Sequence, residues 1–134
     1  MIEINHLFGG YSSFEVVKDV SLTFPNGQIS VLVGPNGSGK STLLKLFMGL
    51  IRPHSGIVRL NGRDIAVIPQ KELARQIAYV PQVHKSAFPY TVLDIILMGR
   101  MPHKTFFFRY SREDIRIARS AMEKLSIAHL SGRP

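Results

Sequence analysis

Apolar and polar residues alternate at the start of the chain. Ile2-Glu3-Ile4-Asn5-His6-Leu7 has the two-residue period of a half-buried strand. Val16 to Phe24 resumes that period with Val20, Leu22 and Phe24 on one face, and Gly9-Gly10-Tyr11-Ser12-Ser13 between them reads as a turn. Pro25-Asn26-Gly27 turns the chain into Ile29-Ser30-Val31-Leu32-Val33, a short β-branched run that predicts a buried strand. From Thr42 to Leu50 the apolar spacing becomes helical. Arg52-Pro53-His54-Ser55-Gly56 breaks the chain, and Ile57-Val58-Arg59-Leu60 predicts a strand turned by Asn61-Gly62, a strong hairpin signal. Pro69 opens a short helix through Gln76, and Ile77-Ala78-Tyr79-Val80 predicts a strand that ends at Pro81-Gln82. Thr91 with Asp94, and Ser111 with Asp114, form capping-box patterns. The first predicts a helix to about Gly99; the second, a helix with Ile115, Ala118, Met122 and Leu125 along one side. Met101 to Tyr110 reads as a loop, and Ser126 to Pro134 shows no clear period. The pattern as a whole is α/β: an antiparallel sheet feeding a parallel one, with helices between.

Composition narrows this little. A chain of 134 residues fits one domain, and 45% hydrophobic residues can fill a core. Cysteine is absent, which excludes a disulfide framework and a thiolate metal site. No stretch reaches the roughly 18–20 apolar residues of a membrane span, and Met1-Ile2-Glu3-Ile4 lacks the basic start of a signal peptide, so a cytosolic protein is expected. The net charge of +8 points by itself to nucleic acid or an anionic surface, but the charges are spread without a run of like sign. The five histidines are scattered and show no ligand spacing.

The chemistry-bearing stretch is Gly34-Pro35-Asn36-Gly37-Ser38-Gly39-Lys40-Ser41-Thr42, which fits G-x-x-x-x-G-K-[ST] between an apolar run and a helical one. A polyphosphate must be held without water. Glycines let the backbone come close to it, amide N–H groups converge on it, and the positive end of the helix dipole adds to the attraction. In this pattern Lys40 reaches the β- and γ-phosphates of a nucleotide and the Ser41 hydroxyl ligates Mg2+.

With these residues in hand the chain resembles ABC-type ATPases, the nucleotide-binding subunits of ABC transporters. The resemblance is carried by Gly34 to Thr42, the Tyr11 turn, the Pro53-His54-Ser55-Gly56 turn and Ala78-Tyr79-Val80-Pro81-Gln82. It runs through the whole chain but covers about the first half of the family's domain. Met98-Gly99-Arg100-Met101-Pro102-His103 also resembles importer ATPases for iron–siderophore, haem and cobalamin. The resemblance implies the N-terminal half of a P-loop NTPase fold: an antiparallel β subdomain, a partial parallel core sheet with the P-loop helix, and the start of a helical subdomain. It implies a division at 1–90 and 91–134. ATP and Mg2+ are the implied ligands, with Gly34, Asn36, Gly37, Ser38, Gly39, Lys40, Ser41 and Thr42 around the phosphates. Tyr11 matches the family's adenine-stacking aromatic, against a plain reading as a packing or turn residue, with Phe14 as the rival aromatic. Gln82 matches the family's glutamine, whose amide oxygen serves Mg2+ and whose N–H2 serves water. The loop Val83 to Tyr90 and the helix after it would face the membrane partner. Implied partners are transmembrane permease subunits, a second ATPase subunit in a homodimer and, indirectly, a substrate-binding protein, at the cytoplasmic face of the membrane; no nucleic acid is expected.

The chain also departs from the family. None of its nine acidic residues follows a run of four apolar ones, so the carboxylate that supports Mg2+ and the glutamate that polarises water are missing. The Leu-Ser-Gly-Gly-Gln signature is absent; Leu130-Ser131-Gly132 begins like it, but Arg133 follows. The expectation is a chain cut or recorded before its catalytic half, inactive alone, with an uncovered sheet edge and apolar surface. Two other classes stay open: a nucleic-acid-associated ABC-type ATPase, which the compact interval between Lys40 and Gln82 disfavours, and a non-catalytic nucleotide-binding module.

Overall fold

The computed structural model describes residues 1–82, 88–104 and 109–134. They form two compact units, Met1–Leu73 and Ala74–Pro134.

The first unit is built on a four-stranded antiparallel sheet. Strand β1 (Ile2–Tyr11) pairs with β2 (Phe14–Phe24) on one side and with β3 (Ser55–Leu60) on the other, and β3 pairs with β4 (Arg63–Asp64). Both predicted early strands are present and run longer than expected, leaving only Ser12-Ser13 as the turn. A strict alternation through Ile2 and Ile4 would turn Leu7 to solvent. Instead the register slips between Ile4 and Leu7, His6 takes a positive φ of 45°, and Leu7 is fully buried. Asp19 on β2, at φ 49°, restores the pairing with a second bulge. His6 Nδ1 and Asp19 Oδ1 meet at 2.7 Å, so the two bulges are tied by their own side chains. The Asn61-Gly62 turn has both residues at positive φ, 50° and 81°, as a tight hairpin requires, and sets Leu60 opposite Arg63.

Helix α1 (Lys40–Phe47) buries Thr42, Leu43 and Leu46, and its Phe47 ring lies 5.4 Å from Phe24 at a tilt of 40°. Ile4, Leu7, Leu46, Val58 and Leu60 make the centre of this core. Asp64 caps a short 3-10 turn (Ile65–Val67) by accepting from the Ala66 amide. Pro69 then opens α2 (Gln70–Gln76), with its carbonyl accepting from Glu72 and Leu73.

Two predicted strands are not formed. Residues 29–33 pair with no strand among the described residues, and Ile29, Val31 and Val33 are 96%, 77% and 85% exposed. Residues 77–80 likewise have no ladder partner, with Val80 90% exposed. The expected partial parallel sheet is therefore absent among the described residues. β-branched composition favours a strand only where a neighbouring strand satisfies its N–H and C=O groups and covers its side chains. Apolar surface is exposed along these two runs, and also at Phe14, Val67 and Leu125.

The second unit is helical. Helix α3 (Val92–Met98) starts at the Thr91–Asp94 capping box, and α4 (Arg112–Lys124) at the Ser111–Asp114 box, both as the sequence predicts. Leu97, Ala118 and Met122 are buried between them. Arg100 Nε donates to Asp114 Oδ1 at 3.0 Å across this packing. Leu125, expected on the packed side of α4, instead ends the helix and is 68% exposed. The unpatterned C-terminal stretch has a clear role: the carbonyls of Arg133 and Ser131 accept from the Val92 and Leu93 amides, two N–H groups that the first turn of α3 leaves open. The loop expected from Val83 to Tyr90 falls largely at 83–87, and the loop expected from Met101 to Tyr110 partly at 105–108, outside the described residues. No helix among the described residues is long and apolar enough to cross a membrane.

Candidate nucleotide site

The loop from Gly34 to Gly39 leads directly into α1. Gly37 and Gly39 have φ of 81° and 89°, a region that residues with a side chain enter only with strain. At Gly39 space is tight as well, since a Cβ would lie 3.0 Å from Val16 Cγ1. The Ser38 amide donates to the Pro35 carbonyl at 3.3 Å, and Leu43 N–H donates to Gly39 O at 2.8 Å. Gly39 is the N-cap and has no side chain to cap with, so the first-turn N–H groups of α1 are offered to a ligand. The sequence expectation of a Gly-rich turn opening a helix is met, two residues earlier than the apolar spacing suggested.

Lys40 lies inside this loop. Its Nζ donates to the carbonyls of Gly34 at 2.8 Å and Pro35 at 2.7 Å, with Ser38 Oγ at 3.4 Å. The loop thus concentrates one full cation, the amides of a helix start and the hydroxyls of Ser38 and Ser41 within a few residues. Asn36, Ser38 and Ser41 are exposed, whereas Thr42 is buried and ties the helix to the core. An arrangement of this kind holds an anion, and the exposed Ser41 hydroxyl is a hard oxygen donor beside it, which suits Mg2+. An open hollow of about 450 Å³ lies alongside, walled by Val16, Val20, Leu32 and Leu43.

Tyr11 ends β1 in the same unit. It is half exposed, at 49%, and its hydroxyl accepts from Lys45 Nζ at 3.1 Å. That ammonium, with the Thr42 hydroxyl adding to it, holds the phenol pKa below its ordinary value. The adjoining turn is fixed from the other side, because His54 Nε2 hydrogen bonds to the Ser12 carbonyl at 2.9 Å. Phe14 stands directly opposite Tyr11 in the strand register and is more exposed, at 72%. Lys45 is the residue that sequence reasoning missed. Its signal was a basic side chain one helical turn after Thr42, within the otherwise apolar run Leu43 to Met48.

Gln82 belongs to the second unit, where it is exposed in a bend just after Pro81. The structure therefore brings Gly34 to Thr42 and Tyr11 together on one unit and leaves Gln82 on the other.

A family profile described as ABC transporter matches residues 17–134. The iron(3+)-hydroxamate import ATP-binding protein FhuC of Bacillus subtilis is 38% identical over 125 residues, which is 93% of this chain and 46% of that protein. The hemin import ATP-binding protein HmuV of Pseudomonas putida is 38% identical over 133 residues, 99% of this chain and 51% of that protein. Among solved structures, a nucleotide-free ATP-binding cassette from an ABC transporter superposes with a TM-score of 0.83 at 25% identity, over 98% of this chain and 56% of that one. The chain spans about half the length of the curated relatives it matches. With the P-loop geometry, the antiparallel sheet and these matches in agreement, the chain belongs to the ABC transporter family, in its ATP-binding domain.

Proposed function

We propose that this chain is the nucleotide-binding part of an ABC importer ATPase that drives uptake of a metal chelate such as an iron–siderophore. The observation that carries the reading is the loop closed around Lys40 at the uncapped start of α1. Lys40 and the amides from Gly37 to Thr42 hold the β- and γ-phosphates of ATP, and in phosphoryl transfer the same contacts neutralise charge as it develops. Ser41 is the ligand that the first unit would offer to Mg2+; Gln82, on the second unit, is given its metal and water role by the family resemblance alone. Tyr11 carries the adenine. The metal supplies charge neutralisation at the phosphates; the chain's own residues bind and orient them.

On this reading residues 1–90 form the β subdomain and P-loop core, and residues 91–134 begin the helical subdomain. Two such subunits close on ATP and reopen after hydrolysis, coupled to transmembrane permease subunits at the cytoplasmic face of the membrane and, through them, to a substrate-binding protein. Relatives that import iron(3+)-hydroxamate and hemin, by their names, support a chelate cargo.

The chain alone turns over ATP negligibly, because none of its carboxylates follows an apolar strand as the family's catalytic pair does, and several serve other ends. Asp64, Asp94 and Asp114 accept from backbone amides at the starts of helical turns, and Glu72 and Glu113 pair with Arg63 and Arg116. The deciding experiment is thermal denaturation of the 134-residue chain with saturating MgATP, beside a phosphate-release assay. A nucleotide-dependent rise in melting temperature with background phosphate release supports this reading. No rise, or an equal rise in Lys40→Ala, overturns it.

A further inference from the structure

The contact between Lys45 and Tyr11 joins the two parts of the proposed nucleotide site. Lys45 projects from the last turn of α1, the helix whose first turn is proposed to face the phosphates, and its Nζ lies 3.1 Å from the Tyr11 hydroxyl and 5.6 Å from the centre of the ring. A phenol oxygen lies on the ring's long axis, so these two distances put the ammonium beyond the hydroxyl tip rather than over a face. The cation therefore anchors the polar end of the side chain and leaves both ring faces clear of itself. The other side of the turn is held by His54 on the Ser12 carbonyl. A half-exposed tyrosine at a hairpin end would otherwise sample several rotamers, and ordering it would oppose binding.

We propose that Lys45 is a positioning residue for base recognition: it fixes the Tyr11 ring, through the phenol oxygen, at a set place relative to the phosphate-binding turn of the same helix. The ligand class is a nucleoside triphosphate, and the part of its affinity at stake is the base. The lowered phenol pKa is what such an ammonium contact produces. The proposal rests on Tyr11 being the base platform, so its test separates the two.

The experiment measures affinities of the 134-residue chain for MgATP and for magnesium tripolyphosphate, which has the phosphates without the base. Variants are Lys45→Met, Lys45→Arg, Tyr11→Phe and Tyr11→Ala. Lys45→Met and Tyr11→Phe each weaken MgATP about twofold to fivefold, the effect expected of one exposed charged contact, and leave tripolyphosphate unchanged. Combining the two is no worse than either alone, and Lys45→Arg restores affinity. Tyr11→Ala, which removes the platform, weakens MgATP roughly 5- to 150-fold. Should Lys45→Met weaken both ligands equally, its charge acts on the phosphates and the positioning role is overturned. Should Tyr11→Ala weaken MgATP while Lys45→Met does not, Lys45 is idle and the base platform stands. Indifference of MgATP affinity to Tyr11→Ala, or no MgATP binding by the unaltered chain, overturns the base platform and this inference with it. If Lys45→Met fails to fold, Lys45→Gln, which keeps an aliphatic stem and a polar end but removes the charge, is read by the same outcomes.

Discussion

Lys40 donates to the Gly34 carbonyl at 2.8 Å, across the loop that separates them. With the Pro35 carbonyl at 2.7 Å, the ammonium is held by backbone acceptors in the place where the loop offers charge to an anion. Phosphate oxygens are stronger acceptors than carbonyls for a cation, so the same side chain can exchange one set of partners for the other without crossing the site.

That exchange gives the first prediction. MgATP at a hundred times its dissociation constant raises the stability of the chain by about 2.7 kcal/mol. Lys40→Ala abolishes most of that rise and changes ligand-free stability by about 1 kcal/mol or less, since the lost contacts are exposed hydrogen bonds. Differential scanning calorimetry of both proteins with and without MgATP reads the two effects separately.

Gly39 gives a second. Its φ of 89° and the nearby Val16 side chain leave no relaxed place for a methyl group. Gly39→Ala should cost more than about 1 kcal/mol in chemical denaturation and lower phosphate affinity with it, because the strained residue is the N-cap of the helix proposed to face the phosphates. A neutral outcome in both would show that the turn is free to rearrange.

The features legible in the sequence are those set within a few residues. The Asn61-Gly62 hairpin and the Thr91 and Ser111 caps follow from local φ preferences and from side chains that reach their own backbone. The Gly34 to Thr42 turn was legible for the same reason. The bulges were hidden, because His6 and Asp19 adopt positive φ only when paired strands demand it. The runs at 29–33 and 77–80 carry strand composition, but a strand is a property of a pair, and the chain alone does not state its partner. Lys45 was missed because its meaning lies in a residue on another element, Tyr11, with 34 positions between their numbers.

Asp114 links acid stability to the start of α4. The Ser111 hydroxyl and amide, and then the Arg100 guanidinium, hold its pKa down to about 2. A carboxyl with a folded pKa below its unfolded value near 3.9 contributes fully above about pH 4 and progressively less as pH falls toward 2. Ser111→Ala should cost about 1 kcal/mol at neutral pH through the lost cap. Asp114→Asn should lower helix stability at pH 7 and flatten the loss between pH 4 and 2, read by circular dichroism along an acid titration. An unchanged acid transition in Asp114→Asn would mean that another carboxylate governs it.

The exposed run at 29–33 supports a prediction of opposite sign. Val31 and Val33 are 77% and 85% exposed and contribute little to the core of the first unit, which is centred on Ile4, Leu7 and Leu46. Substituting both with aspartate should therefore leave the cooperative denaturation of the chain within about 0.5 kcal/mol per site, as for other surface positions. It should also reduce binding of a dye that reports apolar surface and slow aggregation, because a flat β-branched segment with open backbone groups is a template for other chains. Sedimentation and dye fluorescence at matched concentration test this directly. If instead Val31→Asp with Val33→Asp unfolds the first unit, these side chains are buried in solution by a second molecule or by further chain, and the protein's folded form includes that cover.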